Sequence, residues 1–213
     1  MKFGKQIIQL SCFLILIACE TQKSDSSGDA LLILLNESQL TSNQSVSTGS
    51  CTSASESGLT ATTVNATNYD LWTYCNLKES AATTESTGDW DLRFQRFKIG
   101  TKSGTSDSSG SGASCDTGST DWNATFTTTS CTLAVDENQS QQGGGGGGNE
   151  AVSWDGSSAL KEWYNYSNTI LTAKDNIYLI RGSSGQRYFL IQMRDYYDTA
   201  GSSGHPKFRW KEL

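Results

Sequence analysis

The last forty residues alternate between apolar and polar side chains with a period of two. In Tyr188–Arg194, Phe189, Ile191 and Met193 share one side of an extended chain, while Gln192 and Arg194 share the other. Further on, Phe208 and Trp210 oppose Lys207, Arg209 and Lys211. A period of two is the side-chain repeat of a β-strand and cannot serve as the apolar stripe of a helix. The links Gly182-Ser183-Ser184-Gly185 and Gly201-Ser202-Ser203-Gly204 carry turn chemistry, so this region reads as a hairpin followed by a final strand. Upstream, Val64 to Leu77, Trp163 to Tyr166 and Ile177 to Ile180 are aromatic and aliphatic runs of the same kind. Trp90, Leu92 and Phe94 alternate, then Phe97 and Ile99 take the opposite parity, which predicts a β-bulge. Trp122 to Leu133 reads as a further, threonine-rich strand. Serine, threonine and glycine exceed a third of the 213 residues, and proline occurs once. The expectation is an all-β domain, mostly antiparallel sheet or sandwich.

The N-terminus follows other rules. Lys2 and Lys5 precede an apolar stretch from Ile7 to Ala18 that is too short to span a membrane as a helix. It ends at Leu16-Ile17-Ala18-Cys19, which resembles the lipobox of bacterial lipoproteins. The resemblance implies cleavage before Cys19 and acylation of its sulfur, with the chain held to the membrane through acyl chains. Residues 20–57 are rich in Ser, Thr, Asn and Gln and read as a tether, apart from the apolar island Ala30–Leu35. The organisation expected is therefore a signal peptide at 1–18, a tether at 19–57 and a β domain at 58–213. The location expected is the cell envelope, at the outer membrane or cell surface.

With Cys12 removed and Cys19 acylated, Cys51, Cys75, Cys115 and Cys131 remain, an even number in an oxidising compartment. Three pairings are possible. Cys51–Cys75 with Cys115–Cys131 is favoured because each bridge closes a local loop, and no Cys-x-x-Cys spacing supports a metal site instead.

Composition excludes several kinds of chemistry. The chain has one histidine, His205, so no site can draw two histidines from one chain. A serine hydrolase would need a base, and there is neither a Gly-x-Ser-x-Gly nor a second candidate beside His205. Asp89/Asp91, Asp136/Glu137 and Asp195/Asp198 are carboxylate pairs of the kind glycoside hydrolysis needs, and Asp89 and Asp91 share a strand face about 7 Å apart, but that Trp-flanking pair reads as solvated groups that end a turn. Asp107, Asp116 and Asp121 fit no calcium-loop spacing. The glycine run 143–148 lacks the Lys-Ser/Thr of a phosphate loop and reads as a flexible link. Net charge is −6, and no basic stripe with interleaved aromatics is long enough for nucleic acid. The expectation is a binding protein rather than an enzyme. Six tryptophans and eight tyrosines suggest that some line a groove for an apolar ligand or a protein partner, with residues 115–170 the place to look.

Several segments together resemble the HmuY family of bacterial surface lipoproteins. They are Thr63–Thr67 through Trp72-Thr73-Tyr74, then Trp90–Arg96, Ile99–Gly104, Tyr178–Arg181, Gly185–Gln192, Asp195-Tyr196-Tyr197, and the ending Gly201–Trp210. The resemblance spans roughly residues 60–213, with 105–160 poorly matched. It implies an all-β haemophore-like domain whose members hold haem iron between two axial histidines or methionines from the central region. This chain has neither residue type between positions 2 and 192. Met193 and His205 are the remaining candidates by type, and Tyr164 or Tyr166 by analogy with tyrosine-ligated haem. Met193 otherwise reads as core and His205 as an exposed turn residue. Haem or a related apolar ligand is the partner implied, with a host or envelope protein as the alternative.

Overall fold

The computed structural model describes residues 49–56, 59–142 and 151–213. Cys12, Cys19, the island Ala30–Leu35 and the glycine run lie outside the described residues.

Fourteen strands and one short 3₁₀ helix (Leu77–Glu79) make up the described residues. Six strands form the larger sheet in the order β1 (Ser50–Glu56), β2 (Leu59–Asn65), β14 (Ser203–Glu212), β13 (Tyr188–Tyr197), β12 (Ile177–Arg181) and β7 (Ala113–Asp116). Four form a second sheet in the order β4 (Ala82–Thr84), β3 (Thr73–Asn76), β5 (Leu92–Gln95) and β6 (Lys98–Thr101). Two hairpins complete the domain, β8 (Glu137–Gln142) with β9 (Ala151–Gly156) and β10 (Tyr164–Ser167) with β11 (Ile170–Ala173). Every pairing between strands is antiparallel.

The C-terminal alternation sorts side chains to the two faces of the larger sheet. Tyr178, Ile180, Phe189, Ile191, Met193, Phe208 and Trp210 face inward and pack with Leu92, Phe94 and Ile99 of the smaller sheet. Phe94 stacks on Phe208 across this interior, ring centroids 5.6 Å apart. The outer face is covered as well: Ile177, Leu179 and Leu190 bury against Trp122 and Cys115. That is why β12 and the start of β13 read as nearly continuous apolar runs, whereas β14 alternates.

Disulfides join Cys51 to Cys75 and Cys115 to Cys131, with Cα atoms 5.8 and 6.0 Å apart. The first ties β1 of the larger sheet to β3 of the smaller one; the second ties β7 to the loop that carries Trp122. Each removes unfolded-state freedom worth about 3 kcal/mol in the loop-entropy picture.

Five local readings change. The parity switch after Phe94 is no bulge: Arg96 and Phe97 form a two-residue turn, and the hairpin register sets Ile99 directly opposite Phe94 on the same face. Trp122 to Leu133 is a chain of turns, because Asp121, Thr127 and Ser130 side chains bond to nearby backbone N–H groups and outcompete strand pairing. Val64 to Leu77 divides into β2, a loop and β3. The end of the expected tether, Ser50–Glu56, forms β1, whose small polar residues pair along all of β2. The hairpin link Gly182–Ser184 to Gly185 extends through Arg187, since β13 begins at Tyr188 opposite Arg181.

Candidate functional site

Aromatic side chains converge where the β5–β6 turn, the segment between β2 and β3, the β10–β11 hairpin and the end of β13 meet. Asn68 starts this arrangement: its side-chain oxygen accepts the N–H groups of Asp70 (2.8 Å) and Leu71 (2.9 Å), a local turn that leaves Tyr69 70% and Leu71 45% exposed. Arg96 sits in the left-handed region at φ 56°, held by its own N–H to the Ala66 carbonyl at 2.9 Å. Its guanidinium donates to the Ser203 carbonyl (3.0 Å) and hydroxyl (2.6 Å), and lies over the rings of Tyr69 (4.5 Å) and Tyr196 (5.9 Å). Gly204, at φ +93°, is required there, because a Cβ would stand 2.5 Å from Arg96 Nη1.

Phe97 leads the second half of the cluster. Its ring meets Trp154 and Tyr164 edge-on, at 5.9 and 5.7 Å, and its carbonyl accepts the Trp163 indole N–H at 2.8 Å. Trp163 continues to Tyr196, which meets Tyr197 at 5.3 Å. Tyr196 reaches this face because β13 changes register between Met193 and Asp195. The shift moves the inward parity from odd to even positions, the usual effect of a bulge beside a site. Pro206, which has no N–H to give, falls in the irregular stretch that follows, beyond the last β2 pair at Lys207.

The two small hairpins complete the cluster. Tyr164 donates from its hydroxyl to Gln141 Oε1 at 3.0 Å, and the Tyr197 hydroxyl accepts the Leu171 N–H at 2.9 Å. Tyr166 and Ile170 remain 63% and 55% exposed, so the surface offers phenol and aliphatic groups together. Burial pushes the Tyr196 hydroxyl up to about 12 and raises that of Tyr164, so both are neutral phenols near neutrality. Burial also lowers the Lys98 ammonium, which lies 5.8 Å from the Trp154 ring.

The candidates by residue type lie elsewhere or are committed. Met193 is 1% exposed in the main core and sits opposite Phe208. His205 shares the outer parity of Lys207 and Arg209, with its Nε2 3.7 Å from Asp198. The two therefore occupy opposite faces of the sheet and cannot hold one iron. Asp91 is buried and accepts the N–H groups of Leu77 and Ser183, both within 2.9 Å. Asp89 pairs with Lys78 and accepts the Ser183 hydroxyl, and both contacts hold its carboxyl below its ordinary value. Asp136 is buried, accepting from Thr101 N–H and hydroxyl and from Ser106; burial raises its carboxyl nonetheless. Asp107, Asp116 and Asp121 each accept an N–H two residues ahead in their own turns. Among the described residues no group of three or more His, Cys, Asp or Glu could hold a metal ion. Tyr69, Arg96 and Phe97 were not expected at a site; the Asn68-Tyr69-Asp70 turn signal and a basic-aromatic pair between two strands are the clues that point to them.

The sequence profile of the HmuY protein family matches residues 68–210. This chain belongs to the HmuY family. Solved structures agree on the fold at low identity. A candidate lipoprotein of Bacteroides fragilis aligns with a TM-score of 0.53 at 17% identity, covering 74% of this chain and 93% of its own. A candidate HmuY-like haem-binding protein of Bacteroides vulgatus gives 0.51 at 17%, covering 70% and 89%. The ligand-free HmuY analogue of Tannerella forsythia gives 0.53 at 16%, covering 76% and 96%. No curated protein sequence matches the chain. The aromatic cluster described above contains phenols and neither histidine nor methionine.

Proposed function

We propose that this chain is a lipid-anchored envelope protein whose domain captures haem, or a flat apolar ligand of similar shape and charge, at the tyrosine-rich end. The observation carrying this reading is the convergence of Tyr69, Tyr164, Tyr166, Tyr196 and Tyr197 with Arg96 in one cluster whose outer members, Tyr69 and Tyr166, are exposed. Rings and aliphatic groups suit the macrocycle, and Arg96 and Lys98 suit its carboxylates. Tyr69 and Tyr166, exposed at this end, are the residues that would hold the iron of a bound haem through their phenol oxygens. Membership of the HmuY family and similarity to the HmuY-like haem-binding protein of Bacteroides vulgatus support haem as the ligand. Binding is favoured over catalysis because the buried carboxylates of Asp91 and Asp136 are spent on backbone N–H and hydroxyl donors of the fold.

Titration of haemin into the full chain carrying Cys19→Ala tests the reading. A saturable Soret shift above a nonspecific-protein blank, weakened by Tyr69→Ala with Tyr166→Ala, is the expected result. Absence of any shift removes haem as the ligand. A second reading, a protein-interaction module, is favoured by the exposure of Leu71 and Ile170 beside the phenols. Under that reading haemin leaves the spectrum unchanged while an envelope or host protein is captured in a manner abolished by the same double substitution.

A further inference from the structure

On the opposite face of the larger sheet, away from the aromatic cluster, two guanidinium groups converge on one neutral oxygen. Gln192 is 1% exposed, and its Oε1 accepts from Arg209 Nε at 2.6 Å and from Arg194 Nη1 at 3.4 Å. Its amide donates to the backbone oxygens of Asp175 and Thr120, which fixes its orientation. Arg209 is further held flat, its Cζ 4.5 Å from the Trp122 ring centroid. Lys211, two residues along β14, places Nζ 5.1 Å from the same centroid and donates to the Trp122 carbonyl at 3.4 Å. Burial and then the Arg194 charge lower the Arg209 guanidinium, so its charge is under strain that an anion would relieve.

Charge at this spot is unbalanced. Asp175 accepts from Arg194 at 2.7 Å and is the carboxylate that faces the group. Lys207, next on the same face, is spent on Glu56 at 2.9 Å. Arg194, Arg209 and Lys211 against Asp175 leave a surplus of two positive charges. The terminal nitrogens of Arg209 donate to nothing among the described residues, although its Nε and ring stacking hold it still. A guanidinium oriented by a buried amide and an indole, with its outer edge free, is a pre-organised fork for an oxyanion.

We propose that Arg209, with Arg194 and Lys211, forms an anion site for a dianionic phosphate group, whose two charges match the surplus. The phosphate belongs either to a soluble phosphate ester or to a lipid headgroup. This site shares no residue with the tyrosine cluster and stands whether or not haem binds there.

The test is calorimetric titration of the full chain carrying Cys19→Ala with inorganic phosphate in low-salt chloride buffer, beside flotation with vesicles containing phosphatidic acid. Saturable phosphate binding that Arg209→Gln weakens by about tenfold or more, and Arg194→Gln weakens by less, is expected from the loss of charge-assisted hydrogen bonds. Lys161→Gln, distant in the sequence and in no pairing with these residues, leaves binding unchanged. Flotation that depends on Arg209 and is competed by inorganic phosphate assigns the lipid source; phosphate binding without flotation assigns the soluble one. Arg194 is 45% exposed at its side chain, so Arg194→Gln folds normally and keeps the test decisive if Arg209→Gln does not. Absence of saturable binding in both arms, or binding indifferent to Arg209 and Arg194, overturns the proposal.

Discussion

Asp91 is 1% exposed, yet both of its oxygens are used: Oδ2 accepts the Leu77 N–H and Oδ1 the Ser183 N–H. One carboxylate thus pins the 3₁₀ turn of the smaller sheet to the β12–β13 link of the larger one. Asp91→Ala leaves two buried donors unpaired and is expected to cost about 3 kcal/mol, read as a lowered denaturant midpoint. Asp89, two residues away, is 54% exposed at its side chain, and its pairing with Lys78 is worth less than about 1 kcal/mol. Asp89→Ala should therefore barely move the midpoint. Equal effects of the two substitutions would show that the sheet-to-link connection does not depend on Asp91. At this scale the sequence told only part of the story: two acids two apart on a strand look identical until burial and backbone partners separate them.

At the level of elements, alternation identified β14 because one of its faces is buried and the other is not, while β12 and the start of β13 were legible as apolar runs between turn signals. It misread 122–133, where threonine is as content in side-chain-to-backbone turns as in strands, and it took an even-length hairpin turn after Phe94 for a bulge. The real bulge, after Met193, leaves no compositional mark; the Tyr69 turn and the Arg96-Phe97 pair each leave a local clue, but nothing local shows that the two meet. The β10–β11 turn shows a related conflict. Ser167 pairs with Ile170, so Asn168 and Thr169 form the turn, with φ of 49° and 65°. Asparagine tolerates that region, whereas a β-branched threonine is strained there by about 1–2 kcal/mol. Thr169→Gly removes the strain at an entropic cost of up to about 1 kcal/mol, so a net gain in melting temperature is expected. A drop would mean that the Thr169 side chain contributes contacts outweighing its backbone strain.

Over the whole molecule, the proposed lipid attachment at Cys19 sets where the binding domain works. The expected outcome of Cys19→Ala is a shift of the chain from the membrane fraction to the soluble one, since the acyl chains proposed on that sulfur are the means of attachment. Unchanged fractionation would remove acylation as the means of attachment. The cysteine bridge near the start of the described domain has a mechanical consequence. Tension applied through the N-terminal end reaches the domain at Ser50 and would ordinarily unzip β1 from β2, one antiparallel pair after another. Cys51 diverts that pull after a single residue, across the bridge to Cys75 in β3, at the centre of the smaller sheet. Tension entering at this end is thereby shared between both sheets instead of peeling one edge strand.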